Sequence, residues 1–398
     1  MATIVFQELL FIQEKDRVRC LFQDYAYFYL DNKQLDSIAR FKVIENGIEF
    51  DETEKKARNK LNRLIESGFH NLRSIIANRK TVYIHKNSGI PLLGNQYFGF
   101  VDRNTNLIEI RPCTGCNLCC IYCSVDEGVC GKKTTDYFVE KDYIVSEFKT
   151  LLEEKKSNNI EVHINPQGEP LLYKPLPELI CDLKSIPAVK KISMDTNGVL
   201  LSEKLIDVLV KSGLTQLNIS LNAIDSKIAG KLADKPYNTE KVLNAAIYAS
   251  KKIDVILAPI WLSGINDDEI DKILEKCIKY NLKPGIQNFL QYKHGRNPAK
   301  GKTMDKFYEK LKKWEEKHKI SLHMDKNQFG ITSEPISNPF KKNENVAVDI
   351  VCEGRFKNEF LGVARNRTIS VISQKKTKGR ISVFVTRTKH NIIVGKKK

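Results

Sequence analysis

The stretch RPCTGCNLCCIYCS, residues 111–124, places five of the chain's ten cysteines in fourteen positions. That density serves no ordinary core, and it constrains the rest: the chain must fold so that soft ligands meet at one point. The first residues, MATIVFQELLFIQEKD, lack the basic start and small-residue cleavage site of a secretory leader. Clustered thiols in such a chain point to metal or redox chemistry, not to a disulfide framework. The longest relevant apolar run, VILAPIWL at 255–262, falls far short of the ~20 residues of a membrane span. A cytoplasmic chain with no membrane partner is expected.

The 398 residues are 41% apolar and 28% charged, as in soluble globular proteins of more than one domain. Residues 1–105 read as a separate α+β N-terminal region. Its helix over 52–67 sets Leu61, Leu64 and Ile65 on one face, with Gly68 as a stop. No function is legible there. Between 106 and 318, β-branched runs recur at 107–112, 160–165, 190–196, 216–222, 253–260 and 283–290. Helical patterns lie between them: 140–154 (Tyr143, Ile144, Phe148, Leu151, Leu152), 203–212 (Leu205, Ile206, Leu209) and 267–280 (Ile270, Ile273, Leu274, Cys277). Such alternation means right-handed βαβ units and a parallel sheet. Six units predict an α/β core, a partial (β/α)6 TIM-like barrel with its working residues at the C-terminal strand ends. Residues 319–344, with SEPISNPF, read as a linker. Five short strands over 345–398 predict a small all-β, OB-like barrel.

Two readings fit the cysteine stretch. Cys113-x2-Cys116 and Cys120-x2-Cys123 could be two zinc knuckles, but such knuckles usually stand about a dozen or more residues apart. Only three residues separate these. Alternatively, Cys116, Cys120 and Cys123, spaced C-x3-C-x2-C, can hold three irons of a 4Fe–4S cube and leave the fourth open. CNLCCIYC resembles the signature of the radical S-adenosylmethionine (SAM) superfamily, and the archaeal-type Fe–S oxidoreductases within it. The resemblance implies that the open iron chelates the methionine end of SAM, and that one electron splits the sulfonium to a 5′-deoxyadenosyl radical. It also implies an external electron donor such as ferredoxin or flavodoxin.

Four later segments are similar to the family's SAM-binding motifs. NPQGEP resembles the GGEP motif at Gln167, Gly168, Glu169 and Pro170, with Gln167 where a glycine is usual. The resemblance gives Glu169 and neighbouring backbone acceptors to the SAM amino group. DTNG and SLNA, after the third and fourth strands, imply Thr196, Asn197, Ser220 and Asn222 as carboxylate or ribose contacts. APIWLSGIND implies Pro259 and Ile260 near the adenine. Tyr122 stands beside the last ligand. Taken singly, each polar residue reads as a cap or turn former; their order at successive strand ends favours the site. Cys113, Cys119 and Cys130 lie near the cluster, where a second cluster or a methyl-carrying thiol is the minor reading. Cys20, Cys181, Cys277 and Cys352 are expected to pack as small hydrophobes. His163 reads as a packed strand residue.

The formal charge is +17, and no acidic residue follows Glu359, while 365–398 carries eleven Lys or Arg. A one-signed end on a folded segment suggests a polyanion; a solvated lysine-rich tail is the bland alternative. The segment from 345 resembles a TRAM domain, the β-barrel of RNA-modifying enzymes. The likeness offers Arg365, Arg367, Arg380, Arg387 and Lys389 to RNA, together with Phe360 or Phe384 if exposed. A radical SAM barrel with such a module resembles the tRNA methylthiotransferases. Residues 1–112 hold only Cys20, however, not the three cysteines of their second cluster. The expectation is therefore radical carbon chemistry on tRNA, most simply C-methylation of a hypermodified adenosine beside the anticodon, such as one bearing threonylcarbamoyl. One SAM would supply the radical and another the methyl. A methylthiotransferase-like reaction, a peptide- or protein-modifying radical SAM enzyme and a non-catalytic RNA-binding metalloprotein are the alternatives.

Overall fold

The alternating β-branched runs and amphipathic helices produce the central layer. The computed structural model describes residues 2–323 and 330–398. Six parallel strands, Leu107–Arg111, Ile160–Ile164, Val189–Thr196, Gln216–Ile219, Asp254–Leu257 and Lys283–Pro284, pair in sequence order. Gly99–Asp102 adds an antiparallel seventh at the first strand's edge. The sheet curves without closing and forms a half-barrel. Its sixth strand is shorter than the 283–290 run, because Pro284 cannot donate to a ladder. The chain then steps over, and Gln287–Asn288 pairs with Ile260–Trp261 instead.

Helices cover the outer face with the expected stripes. Lys141–Lys155 buries Tyr143, Ile144, Phe148, Leu151 and Leu152. Glu203–Ser212 buries Ile206 and Leu209, starts where the Ser202 hydroxyl accepts from the Leu205 amide, and ends at left-handed Gly213. Asp267–Tyr280 turns Ile270, Ile273, Leu274 and Cys277 inward. Cys181 departs from expectation: it lies on the exposed side of the helix Leu176–Lys184, while Leu179, Ile180 and Leu183 take the buried face. Cys20 and Cys277 are buried and Cys352 half-buried. His163 is packed inside its strand between the Ser193 hydroxyl at 2.9 Å and Asp195 at 3.4 Å.

The N-terminal residues form a three-stranded sheet and most of a six-stranded one. Thr135–Val139, just after the cysteine loop, pairs in parallel with Lys80–Ile84 and completes the larger sheet. The larger sheet therefore carries one wall of the cysteine loop, and both regions share one hydrophobic core. The helix Glu54–Phe69 runs through Gly68 instead of stopping there. A Cβ at that glycine would lie 2.3 Å from the Phe28 ring, so its smallness serves packing, not termination.

Five C-terminal strands, Asn345–Glu353, Glu359–Ala364, Arg367–Ile372, Gly379–Arg387 and Val394–Lys397, close into a barrel. Val348, Ile369, Val371, Val383, Val385 and Ile393 fill it. Phe360 belongs to this core, 8% exposed, and Phe384 is half-buried. The barrel is fastened to the rest: the Thr368 hydroxyl donates to Pro91 O at 2.6 Å and the Asn391 amide to Asp102 O at 3.2 Å.

Candidate functional site

The cysteine stretch leaves the first half-barrel strand at its C-terminal end. After the two-residue strand Thr114–Gly115, the chain to 134 has no regular ladder. A buried loop must satisfy its backbone groups some other way. Cationic side chains do it here. Arg296 donates from Nη1 to Cys120 O at 2.8 Å and from Nη2 to Glu127 O, while its Nε meets Asp126 at 2.8 Å. Arg79 reaches Gly128 O at 2.5 Å and Gly131 O at 2.9 Å. Lys133 donates to Val125 O at 2.6 Å. Arg355, from the turn between the first two strands of the C-terminal barrel, is fully buried. It binds Thr135 O, Glu127 and, at 2.5 Å, Asp136. Burial works against its charge, but the two carboxylates outweigh that and hold it protonated.

Cys116, Cys120 and Cys123 are half-buried on this clamped loop. The Leu118 amide points at Cys116 Sγ from 3.4 Å and the Glu127 amide at Cys123 Sγ from 3.3 Å. Such donors stabilise ligating sulfur. Burial pushes the Cys120 thiol up to about 11 and raises that of Cys116 as well. Loading iron must therefore displace protons from them.

A single tetrahedral zinc would draw its sulfurs to about 3.8 Å of one another, from Zn–S bonds of ~2.3 Å. Among the described residues, the trio whose ligand atoms all lie within 4.8 Å is Cys119, Cys130 and Asp234, not the three loop thiols. Cys116, Cys120 and Cys123 are therefore not already drawn together around a single point, and three thiols on one loop suit a cube with one open iron. The residues fit the cluster. Cys119 and Cys130 form a disulfide with Cα atoms 6.0 Å apart, and Cys113 is fully buried. With their sulfurs bonded to each other, Cys119 and Cys130 offer no free thiol in this state.

The later motifs gather around the same loop. Gln167–Gly168 pairs in parallel with Thr114–Gly115. A Cβ at Gly168 would lie 1.9 Å from Gly115 O, so glycine is obligatory there, while half-exposed Gln167 has room for its side chain. Asn197 donates to Asn117 Oδ1 at 2.8 Å, with the same nitrogen 3.8 Å from Cys116 Sγ. Ser220 is half-exposed beside this network, and Pro170 and Pro259 are buried.

Two residues expected as ligand contacts also bond within the protein. Glu169 is 1% exposed, and its carboxylate accepts from the Thr196 hydroxyl at 2.6 Å and from the Asn197 and Leu171 amides at 2.8 and 3.2 Å. Burial raises its pKa to about 7 in spite of those donors. It ties the second strand's loop to the third's, and with Thr196 it organises the wall. Asn222 bonds likewise. Its amide donates to Tyr122 OH at 2.6 Å and to Ser220 O at 3.0 Å, and its Oδ1 accepts from the Ile260 amide at 2.7 Å. The Asn222 bonds link the cluster loop to the fourth and fifth strand ends.

On the C-terminal barrel the expected basic residues divide. Arg365 pairs with Glu344, at the entry to the barrel's own first strand, at 2.9 Å, and Arg367 pairs with Glu154 on the helix Lys141–Lys155 at 3.5 Å. Arg380, Arg387 and Lys389 are exposed with no ion pair among the described residues. Arg296, Arg355 and Asn117 escaped the sequence reading. Asn117 lies inside the motif, but nothing in HGRN or CEGRF ties Arg296 and Arg355 to a loop some 170 and 230 positions upstream.

The Radical SAM superfamily model matches residues 110–277, the span holding the three thiols and the second to fifth parallel strands. Those residues form a radical SAM superfamily domain. That family works with a 4Fe–4S cluster and SAM, and Cys116, Cys120 and Cys123 would hold the cluster here. An uncharacterized protein of Methanocaldococcus jannaschii, MJ0103, is 36% identical over 92% of this chain and 95% of its own length. GTP 3′,8-cyclase of Clostridium botulinum is 29% identical over 49% of this chain; the alignment spans 59% of the cyclase. Among solved structures, Streptococcus suis SuiB covers 81% of this chain and 71% of its own at TM-score 0.43 and 15% identity. Archaeal TYW1 covers 57% and 77% at TM-score 0.37 and 20% identity. No described helix is long and apolar enough to cross a membrane.

Proposed function

We propose that this radical SAM enzyme modifies RNA, with tRNA the substrate and C-methylation of a hypermodified adenosine beside the anticodon the reaction. The observation that carries the reading is the closed C-terminal barrel, whose Arg380, Arg387 and Lys389 stay exposed, with no ion pair among the described residues. Exposed cations on a small β-barrel suit a phosphate backbone. With cluster and SAM bound, the cofactors supply hydrogen abstraction from an unactivated carbon. The protein's part is to place and protect. Three thiols hold the cluster, the Leu118 and Glu127 amides face two of the sulfurs, and Arg79, Arg296 and Arg355 fix the loop. The close approach at Gly168 brings backbone against the loop's first residues, where it can meet the SAM amino group. An electron donor of ferredoxin or flavodoxin type has to reduce the cluster, and a second SAM has to give the methyl.

The likeness to GTP 3′,8-cyclase favours one second reading, a radical reaction on a free purine nucleotide. Nucleoside mass spectrometry of tRNA from strains with and without the gene separates the two. The RNA reading expects one adenosine derivative to lose a methyl group in the deletion strain. An unchanged nucleoside profile removes it.

A further inference from the structure

A cleft of about 1120 Å³ opens away from the cluster, between the N-terminal sheet and the C-terminal barrel. It exceeds the ~300–1,000 Å³ of small-ligand pockets, which suits a polymer segment. One wall is the strand Lys80–Ile84 with His85 just beyond it; the other is the barrel's first two strands and the loop holding Lys376 and Lys378.

The sheet wall offers a stacking surface. The Tyr83 and His85 rings lie nearly parallel, 25° apart with centroids at 5.2 Å. Phe22 and Phe69 back Tyr83 at 4.9 and 5.6 Å, so the pair has a fixed platform behind it. The barrel wall is cationic. Lys376 and Lys378 are exposed, as are Lys375 and Arg380 beside them, and none has an ion pair among the described residues. The Lys397 ammonium joins them, donating to the Thr377 hydroxyl at 3.4 Å. Lys80 is paired with Glu353 at 3.3 Å, which leaves Glu66 as the acidic counterweight.

We propose that this cleft anchors a single-stranded stretch of RNA, with one base stacked on His85 and Tyr83 and its phosphates over Lys376 and Lys378. The proposal rests on the RNA reading above and gives it a second site. Flat aromatic faces take unpaired bases, and lysines beside them follow the backbone. Neither feature suits a duplex, whose bases are already stacked.

The test uses the full, anaerobically reconstituted chain and fluorescence anisotropy with two probes: an unmodified tRNA transcript and a short labelled single strand of RNA. Titrations run at several KCl concentrations. His85→Ala should weaken single-strand binding at least about fivefold with little change in salt slope, as loss of one stacked base does. Lys376→Ala with Lys378→Ala should weaken binding and flatten the slope of log K against log salt by about 1.4, from ~0.7 per lost phosphate contact. The pair Lys312→Ala and Lys313→Ala, on the exposed side of the helix Met304–His318, is the charge control and should change neither. Wild-type binding retained by both the His85 and the double-lysine variants would overturn the cleft and leave the RNA reading standing. Wild-type protein that binds no RNA, or that binds a polyglutamate peptide in its place, would overturn both.

Discussion

Arg79, Arg296 and Arg355 carry the same charge as Lys375, Lys376 and Lys378 into opposite settings. The arginines are buried or nearly so and spend their planar forks on carbonyls and carboxylates around the cluster loop. The lysines stand exposed on a barrel loop, without ion pairs among the described residues. The difference teaches what each charge is for. A guanidinium can satisfy several acceptors at fixed angles and so rigidifies an irregular loop; a solvated ammonium is left to meet an anion. The two sets are also joined in the fold, since Arg355 reaches the cluster loop from the barrel that carries the lysines.

The comparison breaks most sharply at Arg355. Arg355→Leu leaves Glu127 and Asp136 buried without their partner and should cost about 3–5 kcal/mol, read as a fall in the denaturant midpoint. Adding Glu127→Leu to it should recover part of that loss. Arg296→Ala removes charge-assisted bonds to two loop carbonyls, and a loss of about 1.5–3 kcal/mol follows from bonds of that kind. Its iron content after reconstitution should drop further than its stability, because Cys120 loses its tether. Equal iron loading would show that the loop is held without it.

Glu169 gives a smaller, pH-dependent effect. Its pKa is raised from 4.5 to about 7 in the folded protein, so the fold binds the proton more tightly than the unfolded chain does. That stabilisation is complete below the unfolded value and is lost as pH climbs from 4.5 through about 7. Unfolding of cluster-free protein across this window should show the decline, and Glu169→Gln should flatten it. Least affected is the exposed set: Arg387→Ala should shift stability by no more than ~0.5 kcal/mol. A larger change in its thermal midpoint would mean that this arginine also serves the fold.

Much of the architecture was legible because it rests on local periodicity. The parallel half-barrel follows from β-branched runs alternating with apolar stripes, and the cysteine spacing alone located the site. What stayed hidden is long-range or conditional. Arg296 and Arg355 act on the loop only because the sixth-strand crossover and the barrel fold back onto it, and no spacing encodes that. Arg365 and Arg367 read as free cations, since Glu344 meets Arg365 only when the barrel closes and Glu154 meets Arg367 only when the barrel packs on its helix. Glu169 and Asn222 stand in the expected motifs, and the protein donors and acceptors they also bond are brought near only by the folded strand ends. Cys181 failed for a simpler reason: three aliphatic neighbours filled the buried face of a nine-residue helix.

The account turns on how many metal atoms Cys116, Cys120 and Cys123 hold, and of which element. Anaerobic reconstitution followed by metal analysis and Mössbauer spectroscopy answers it directly. The account predicts about four irons per chain in one cube with a distinct three-cysteine site, a site-specific signal that changes when SAM is added and is absent in Cys120→Ala. One tightly bound zinc on those sulfurs, with no iron and no response to SAM, would contradict it.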